Sequence, residues 1–314
     1  MVYEVVLSVP RGFCAGVVRA IEIVELCLER FGPPVYVKHQ IVHNPYVVSS
    51  LEQKGAVTVE NVEDIPPGSL VVFSAHGSPP EDYQKAQERA LHVIDGTCPL
   101  VTKVHNEARK FQREGRPMVL IGHRGHQEVQ GTMGQAPMAL LDEREQKTDL
   151  PQWSADAPVA ILTQTTLSVD DAAHAVAVIR QRFPNATVSQ DICYATTNRQ
   201  VAARELARMT DVVLVIGSQN SSNCNRLREV ATNHGVPAYL INGPEELDMA
   251  WVEGCRRVGI TSGASTPETL LHGVINKLHP ERVTSLDGVK EEVAFVLPRE
   301  LRDGSEKGQR TYSL

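Results

Sequence analysis

Three cysteines, Cys14, Cys98 and Cys193, each stand where an apolar run gives way to a helix-like segment, 84 and 95 residues apart. The runs are V-V-L-S-V-P-R-G-F-C, L-H-V-I-D-G-T-C and A-T-V-S-Q-D-I-C. A pattern repeated at about the length of a small domain constrains the fold to three related units. Within them, candidate strands cover Val35–Lys38, Leu70–Ser74, Met118–Gly122, Val159–Thr163, Val212–Gly217 and Arg257–Thr261. Continuous apolar runs such as V-V-L-V-I-G suit parallel strands buried on both faces. Helix-like segments cover Val17–Arg30, Thr102–Glu114 and Gln200–Met209, the first two followed by breakers such as Gly32, Pro33, Gly115 and Pro117. The alternation predicts an α/β fold with parallel sheets.

The loops repeat as well. About 29 residues after each cysteine comes a polar loop that follows a strand. It carries His43 in H-N-P, His126 and Glu128 in G-H-R-G-H-Q-E, and Ser221, Ser222 and Asn223 in G-S-Q-N-S-S-N. A second polar loop follows 62 to 72 residues after each cysteine, at His76, at Thr165 and Thr166, and at Ser265. Open α/β sheets place ligands at the carboxyl ends of their strands. The expected partition is 1–97, 98–192 and 193–282, then a tail, 283–314, with a strand over E-V-A-F-V-L-P and a mobile charged end.

Hydrophobic content of 42% and charged content of 22% fit a globular protein with a sizeable core. A net charge of −7 argues against nucleic acid as a partner. No basic leader opens the chain and no apolar stretch approaches a membrane span, so a cytoplasmic protein without membrane contact is expected. In that setting the six cysteines are expected to be free, catalytic or metal-bound rather than paired. Cys27 and Cys255 read as small buried hydrophobes, and Cys224 has no counterpart in the repeat.

Three thiolates on a shared axis suit a metal centre with one position left open. Spacing alone permits either zinc or an iron–sulfur cluster. His43, His76 and His126 offer anion-binding donors, with His123 ranked below them for its poorer offset. Ser221, Ser222, Asn223 and Ser265 add neutral donors, and S-S-N also suits a helix cap. Neither phosphate-binding glycine motif, G-x-x-x-x-G-K-[ST] or G-x-G-x-x-G, is present. Glu128, the one carboxylate in these loops, suits proton transfer, and Thr165 and Thr166 suit orienting a hydroxyl or a water. An open-iron reductase, a cluster-dependent hydro-lyase and a non-enzymatic metal or redox module all fit these residues.

The segments P-R-G-F-C-A-G-V, V-H-N-P-Y-V-V, S-A-H-G, D-G-T-C-P-L-V-T-K-V-H, G-H-x-G-H-x-E-V-x-G-T-M-G-Q, T-Q-T-T-L-S-V-D-D, D-I-C-Y-A-T-T-N-R-Q, G-S-x-N-S-S-N and S-G-A-S run in order from residue 8 to about 268. In them the chain resembles the 4-hydroxy-3-methylbut-2-enyl diphosphate reductases. The resemblance implies three pseudo-threefold-related α/β domains in a trefoil around a central cavity. It implies one 4Fe–4S cluster on Cys14, Cys98 and Cys193, with a fourth iron free to meet the substrate's C4 hydroxyl. His43, His76, His126, Ser221, Ser222, Asn223 and Ser265 match its diphosphate-binding set. Glu128 matches its proton-delivering residue, with Thr165 and His126 assisting and Thr166 close by, and Thr196 and Asn198 match a segment beside the cluster. The implied reaction is a two-electron reductive dehydroxylation giving isopentenyl and dimethylallyl diphosphates, the last step of the non-mevalonate route. Ferredoxin or flavodoxin is the implied electron donor. Where many relatives carry Ser, this chain has Cys224.

Overall fold

The structure is a computed structural model that describes residues 2–145 and 150–302. The chain begins with β1 (Glu4–Leu7), α1 (Ala15–Phe31), β2 (Val35–Lys38), α2 (Pro45–Gln53), β3 (Ala56–Val59), β4 (Leu70–Phe73), α3 (Pro80–Glu88) and β5 (His92–Asp95). It continues with α4 (Pro99–Arg113), β6 (Met118–Ile121), α5 (Gln127–Met133), β7 (Ala139–Leu141), β8 (Ala160–Thr163), α6 (Val169–Arg182) and β9 (Thr187–Val188). The last third holds α7 (Tyr194–Met209), β10 (Val212–Ile216), α8 (Ser222–Asn233), β11 (Ala238–Ile241), β12 (Arg257–Ser262), α9 (Glu268–Leu278) and β13 (Arg282–Ser285).

These strands form three sheets, ordered β3-β2-β4-β5, β7-β6-β8-β9 and β11-β10-β12-β1-β13. Every neighbouring pair is parallel. The inner strands are buried on both faces, as at Val212–Ile216 and Met118–Ile121, which explains their unbroken apolar sequences. Helices cover the sheets through apolar stripes. In α1 the stripe is Val17, Ala20, Ile23, Val24 and Cys27, and the helix stops at Gly32, whose φ of 74° favours glycine.

The sheet orders reveal the repeat. In each, the first strand in the order 2-1-3-4 is β2, β6 or β10, and the fourth place is taken by β5, β9 or β1. The third unit is therefore completed by the first strand of the chain: Glu4 to Leu7 pair with Arg257 to Ile260. Residues 1–97 do not form a self-contained first unit, because β1 fills the slot that no strand of residues 193–281 fills. The expected boundary at 282 likewise falls on β13, which pairs with the other edge of β1.

Two further expectations need correction. The segment E-V-A-F-V-L-P forms no strand. The last place in the sheet is already occupied by β13, and Val293 and Val296 lie 40% and 59% exposed. The helix expected over Gln200–Met209 starts at Tyr194, so Cys193 caps it directly. The charged end past residue 302 lies outside the described residues. Among the described residues no helix is long and apolar enough to cross a membrane.

Candidate active site and metal centre

Each cysteine follows the fourth-place strand of a sheet and is the N-cap of the next helix: Cys14 of α1, Cys98 of α4 and Cys193 of α7. Each is pinned the same way. The amide of Cys14 donates to the Ala264 carbonyl at 3.1 Å, that of Cys98 to Ala75 at 3.0 Å, and that of Cys193 to Thr165 at 3.1 Å. Those acceptors sit in S-G-A-S, S-A-H-G and T-Q-T-T, the loops after the third-place strands. Each thiol is thus placed by a strand end, and helix N-termini favour the thiolate form.

The thiols converge. A Cβ added to Gly16 would stand 2.7 Å from the Cys98 sulfur and 3.8 Å from that of Cys14, so only glycine leaves this space clear. Burial, and then the charges of Cys14 and Cys193, push the Cys98 thiol up to about 12. Burial likewise raises Cys193 to about 11, against hydrogen bonds from Thr196, with Cys14 and Glu128 adding their charges. The Thr196 hydroxyl lies 3.2 Å from the Cys193 sulfur and its amide donates to that sulfur at 3.4 Å. Mutual repulsion and burial together favour a cation that takes the place of the protons. The donor set and the clear space at Gly16 fit a thiolate-held metal centre. Among the described residues no three His, Cys, Asp or Glu side chains gather closely enough to hold a single ion.

The other strand-end loops meet on the same side. His43 and His76 stack at 4.0 Å between ring centroids, and His126 stands edge-on to them at 5.2 and 6.0 Å. All three are held neutral. Burial lowers His43 to about 4 and His126 to about 3, and drives His76 well below the usual imidazole range, with further repulsion from its two neighbours. His126 caps α5, its Nδ1 accepting from the Glu128 amide at 3.1 Å, which leaves Nε2 as its donor. Among the described residues, Nε2 of His43 and both polar atoms of the Asn223 side chain are buried without partners. Orphaned polar atoms grouped in one place are donors and acceptors waiting for a ligand.

Glu128 is 4% exposed in the first turn of α5. It accepts from the Thr165 amide at 2.6 Å and from the Thr165 hydroxyl at 3.0 Å. Burial nevertheless wins over those hydrogen bonds and raises its carboxyl to about 7. Ser265 and Ser222 act as ties here. The Ser265 hydroxyl donates to the His43 carbonyl at 3.1 Å, and that of Ser222 to the Thr166 carbonyl at 3.3 Å. Ser221 caps α8 by accepting from the Cys224 amide at 3.4 Å. Thr166 accepts from the Gln164 amide group at 2.9 Å, and Gln164 also accepts from the His123 amide. His123 turns away, pairing with Glu143 at 2.8 Å.

The remaining cysteines lie apart. Cys27 and Cys224 are fully buried in separate apolar cores, and burial raises each to about 11. Cys255 is half-buried, its thiol near the Trp251 carbonyl. Sequence reasoning passed over Gly16 and Arg199. Gly16 carries a local signal, a glycine two residues past the cysteine. Arg199 carries none, since its ion pair with Glu291 spans 92 residues.

Fold and site together define an α/β enzyme built on three parallel sheets, its chemistry gathered at their carboxyl ends. The chain belongs to the LytB family: the profile described as LytB protein matches residues 5–279. It is an oxidoreductase. Relatives named 4-hydroxy-3-methylbut-2-enyl diphosphate reductase include one from Zymomonas mobilis, 50% identical across 95% of this chain and 90% of its own length. Another, from Azoarcus sp., is 52% identical across 96% and 98%. Among solved structures, a Plasmodium falciparum E-1-hydroxy-2-methyl-but-2-enyl-4-diphosphate reductase superposes with a TM-score of 0.91 at 38% identity, covering 96% of this chain and 97% of its own. A second, of an (E)-4-hydroxy-3-methyl-but-2-enyl diphosphate reductase, reaches 0.64 at 33% identity, covering 89% and 99%.

Proposed function

We propose that this protein reduces (E)-4-hydroxy-3-methylbut-2-enyl diphosphate to isopentenyl and dimethylallyl diphosphates, using one 4Fe–4S cluster held by Cys14, Cys98 and Cys193. The observation that carries this reading is the convergence of three identically built cysteine loops beside the only buried glutamate of the strand-end loops. Three sulfur donors without a fourth suit a cluster with one iron open to substrate. When bound, the cluster supplies the electrons and a Lewis-acidic iron.

The chain's own residues do the rest. His43, His76 and His126, with Ser221, Ser222, Asn223 and Ser265, hold the diphosphate. That binding energy fixes the allylic alcohol against the cluster. Neutral imidazoles enclosing an anion take up protons as it enters, because the anion restores their basicity. Glu128, protonated up to about pH 7, donates to the departing oxygen, which leaves as water. Thr165 aims that carboxyl with two hydrogen bonds, and Thr166 and Gln164 stiffen the loop. The balance is two electrons and two protons in and one water out, with the second proton delivered to an allylic carbon. The electrons come from ferredoxin or flavodoxin. Closure of the units over the substrate would exclude water from the site.

The test is anaerobic purification followed by turnover. The expected protein is brown, carries iron and sulfide for one cubane, and forms both products only when a reductant is supplied. Product without reductant would favour a hydro-lyase. Colourless zinc protein with no diphosphate affinity would favour a metal or redox module.

A further inference from the structure

The segment after β13 makes contacts that the chemistry above does not use. The side chain of Glu291 is buried, and its carboxylate accepts from Nη1 of Arg199 at 3.0 and 3.1 Å and from the Asn198 side chain at 3.1 Å. Arg199 is fully buried in α7 and also donates to the carbonyls of Ala195 at 3.0 Å and Gly12 at 2.9 Å. Those carbonyls lie two residues after Cys193 and two before Cys14. Farther along, the Val296 carbonyl accepts from Nε of Arg19 at 2.9 Å. Nη1 of Arg19 then donates to the carbonyls of Gly96 at 3.3 Å and Thr97 at 3.0 Å, directly before Cys98. Two arginines therefore grip the backbone beside all three cysteines, and one segment holds both arginines.

We propose that residues 286–301 form a clamp that fixes the spacing of the three thiols, with Arg199 and Arg19 as its positioning residues and Glu291 as its anchor. This rests on the metal centre proposed above. A guanidinium has donors only, and a buried one needs both acceptors and a counter-charge. Here the acceptors are cysteine-loop carbonyls; Arg199 takes its counter-charge from Glu291 in the clamp, whereas Arg19 donates to the clamp's Val296 carbonyl and takes its counter-charge from Asp95. Loosening the clamp leaves the fold of each sheet intact but frees the loops to drift relative to one another. Outer-shell partners of this kind typically govern roughly tenfold or more in metal retention.

The test uses anaerobically loaded protein carrying Glu291→Gln, or Arg199→Met together with Glu291→Met, which removes both charges at similar bulk. Metal release to a chelator is followed by loss of visible absorption, and the reduced centre is recorded by electron paramagnetic resonance. Both variants are expected to release metal roughly tenfold faster with an altered spectrum. The melting temperature of the metal-free double variant should stay near that of the metal-free parent. A folded double variant with the parent's release rate and spectrum overturns the clamp. If the double variant does not fold, Glu291→Gln, which keeps an acceptor of the same size, decides by the same two readings. The metal centre itself fails separately: Cys98→Ser protein that keeps its full metal content overturns that reading, whereas failure of the clamp leaves the cysteine result untouched.

Discussion

The cysteine loops and the polar loops of this protein share one repeat and have gone opposite ways. The three cysteine loops are built alike: a cysteine at the N-cap position, an amide bonded to a strand-end carbonyl, and a neighbouring carbonyl held by a buried arginine. The polar loops differ in every unit. The first offers His43 and His76, the second His126, Glu128 and Thr165, and the third Ser222, Asn223 and Ser265. A centre that takes the same donor from three directions keeps threefold likeness, and a substrate with a diphosphate at one end and a hydroxyl at the other removes it.

The largest expected effect tests the symmetric half. Cys14→Ser, Cys98→Ser and Cys193→Ser should each lose nearly all iron and sulfide. Retention in any one of them, measured on anaerobic protein, would break the equivalence. Gly16→Ala probes the same half without touching a ligand. Its methyl group meets the Cys98 sulfur at 2.7 Å, so iron content should fall severalfold.

In the asymmetric half, Glu128→Gln should keep the cluster and diphosphate affinity but lose roughly 10²- to 10⁴-fold in turnover. Parent turnover in that variant sinks the proton-donor role. With the Glu128 carboxyl raised to about 7, parent turnover should decline as pH rises through that value.

A smaller effect is the pH dependence of stability. Unfolded histidines bind protons below about pH 6.5, whereas His43 and His126 in the fold stay neutral down to about 4 and 3. The unfolded state therefore binds more protons in that window, and stability should be lost as pH falls from about 6.5 towards 4. Glu128 acts in reverse: the fold keeps its proton above the unfolded value, so its contribution is lost as pH rises towards 7. Three buried histidines outweigh one glutamate, so the melting temperature should rise with pH from 4 to 6.5. His43→Gln should make that rise shallower; an unchanged slope would show that His43 is charged in the fold. The smallest effect belongs to Cys255→Ser, which should leave metal content and turnover as they are, because that thiol lies outside both halves.

What the sequence revealed follows burial. The six strands given bounds from the sequence, β2, β4, β6, β8, β10 and β12, are all inner strands; of the edge strands, β5 and β9 showed only as short runs before Cys98 and Cys193, and β3, β7, β11 and β13 gave no strand signal. Ala56–Val59 shows why: only its first residue is buried, so its short sequence A-V-T-V carries no continuous apolar signal. The start of α7 was hidden by A-T-T-N, residues that form helix poorly except in a capped first turn. The site was more legible than the fold, because matching offsets in the chain follow from matching strand ends. Arg199, Glu291 and the sharing of β1 between chain ends stayed out of sight, since each depends on contacts between distant segments that no local pattern encodes.

The placing of β1 has a consequence for how the protein is made. Cys14 is among the first residues to leave the ribosome, yet its strand pairs with Arg257–Ile260 and its amide is held by Ala264. Until those residues emerge, two cysteine loops have neighbours to rest on and the third has none. On the function proposed above, metal assembly is thus tied to the completed chain, and a truncated product has no settled place for its first thiol.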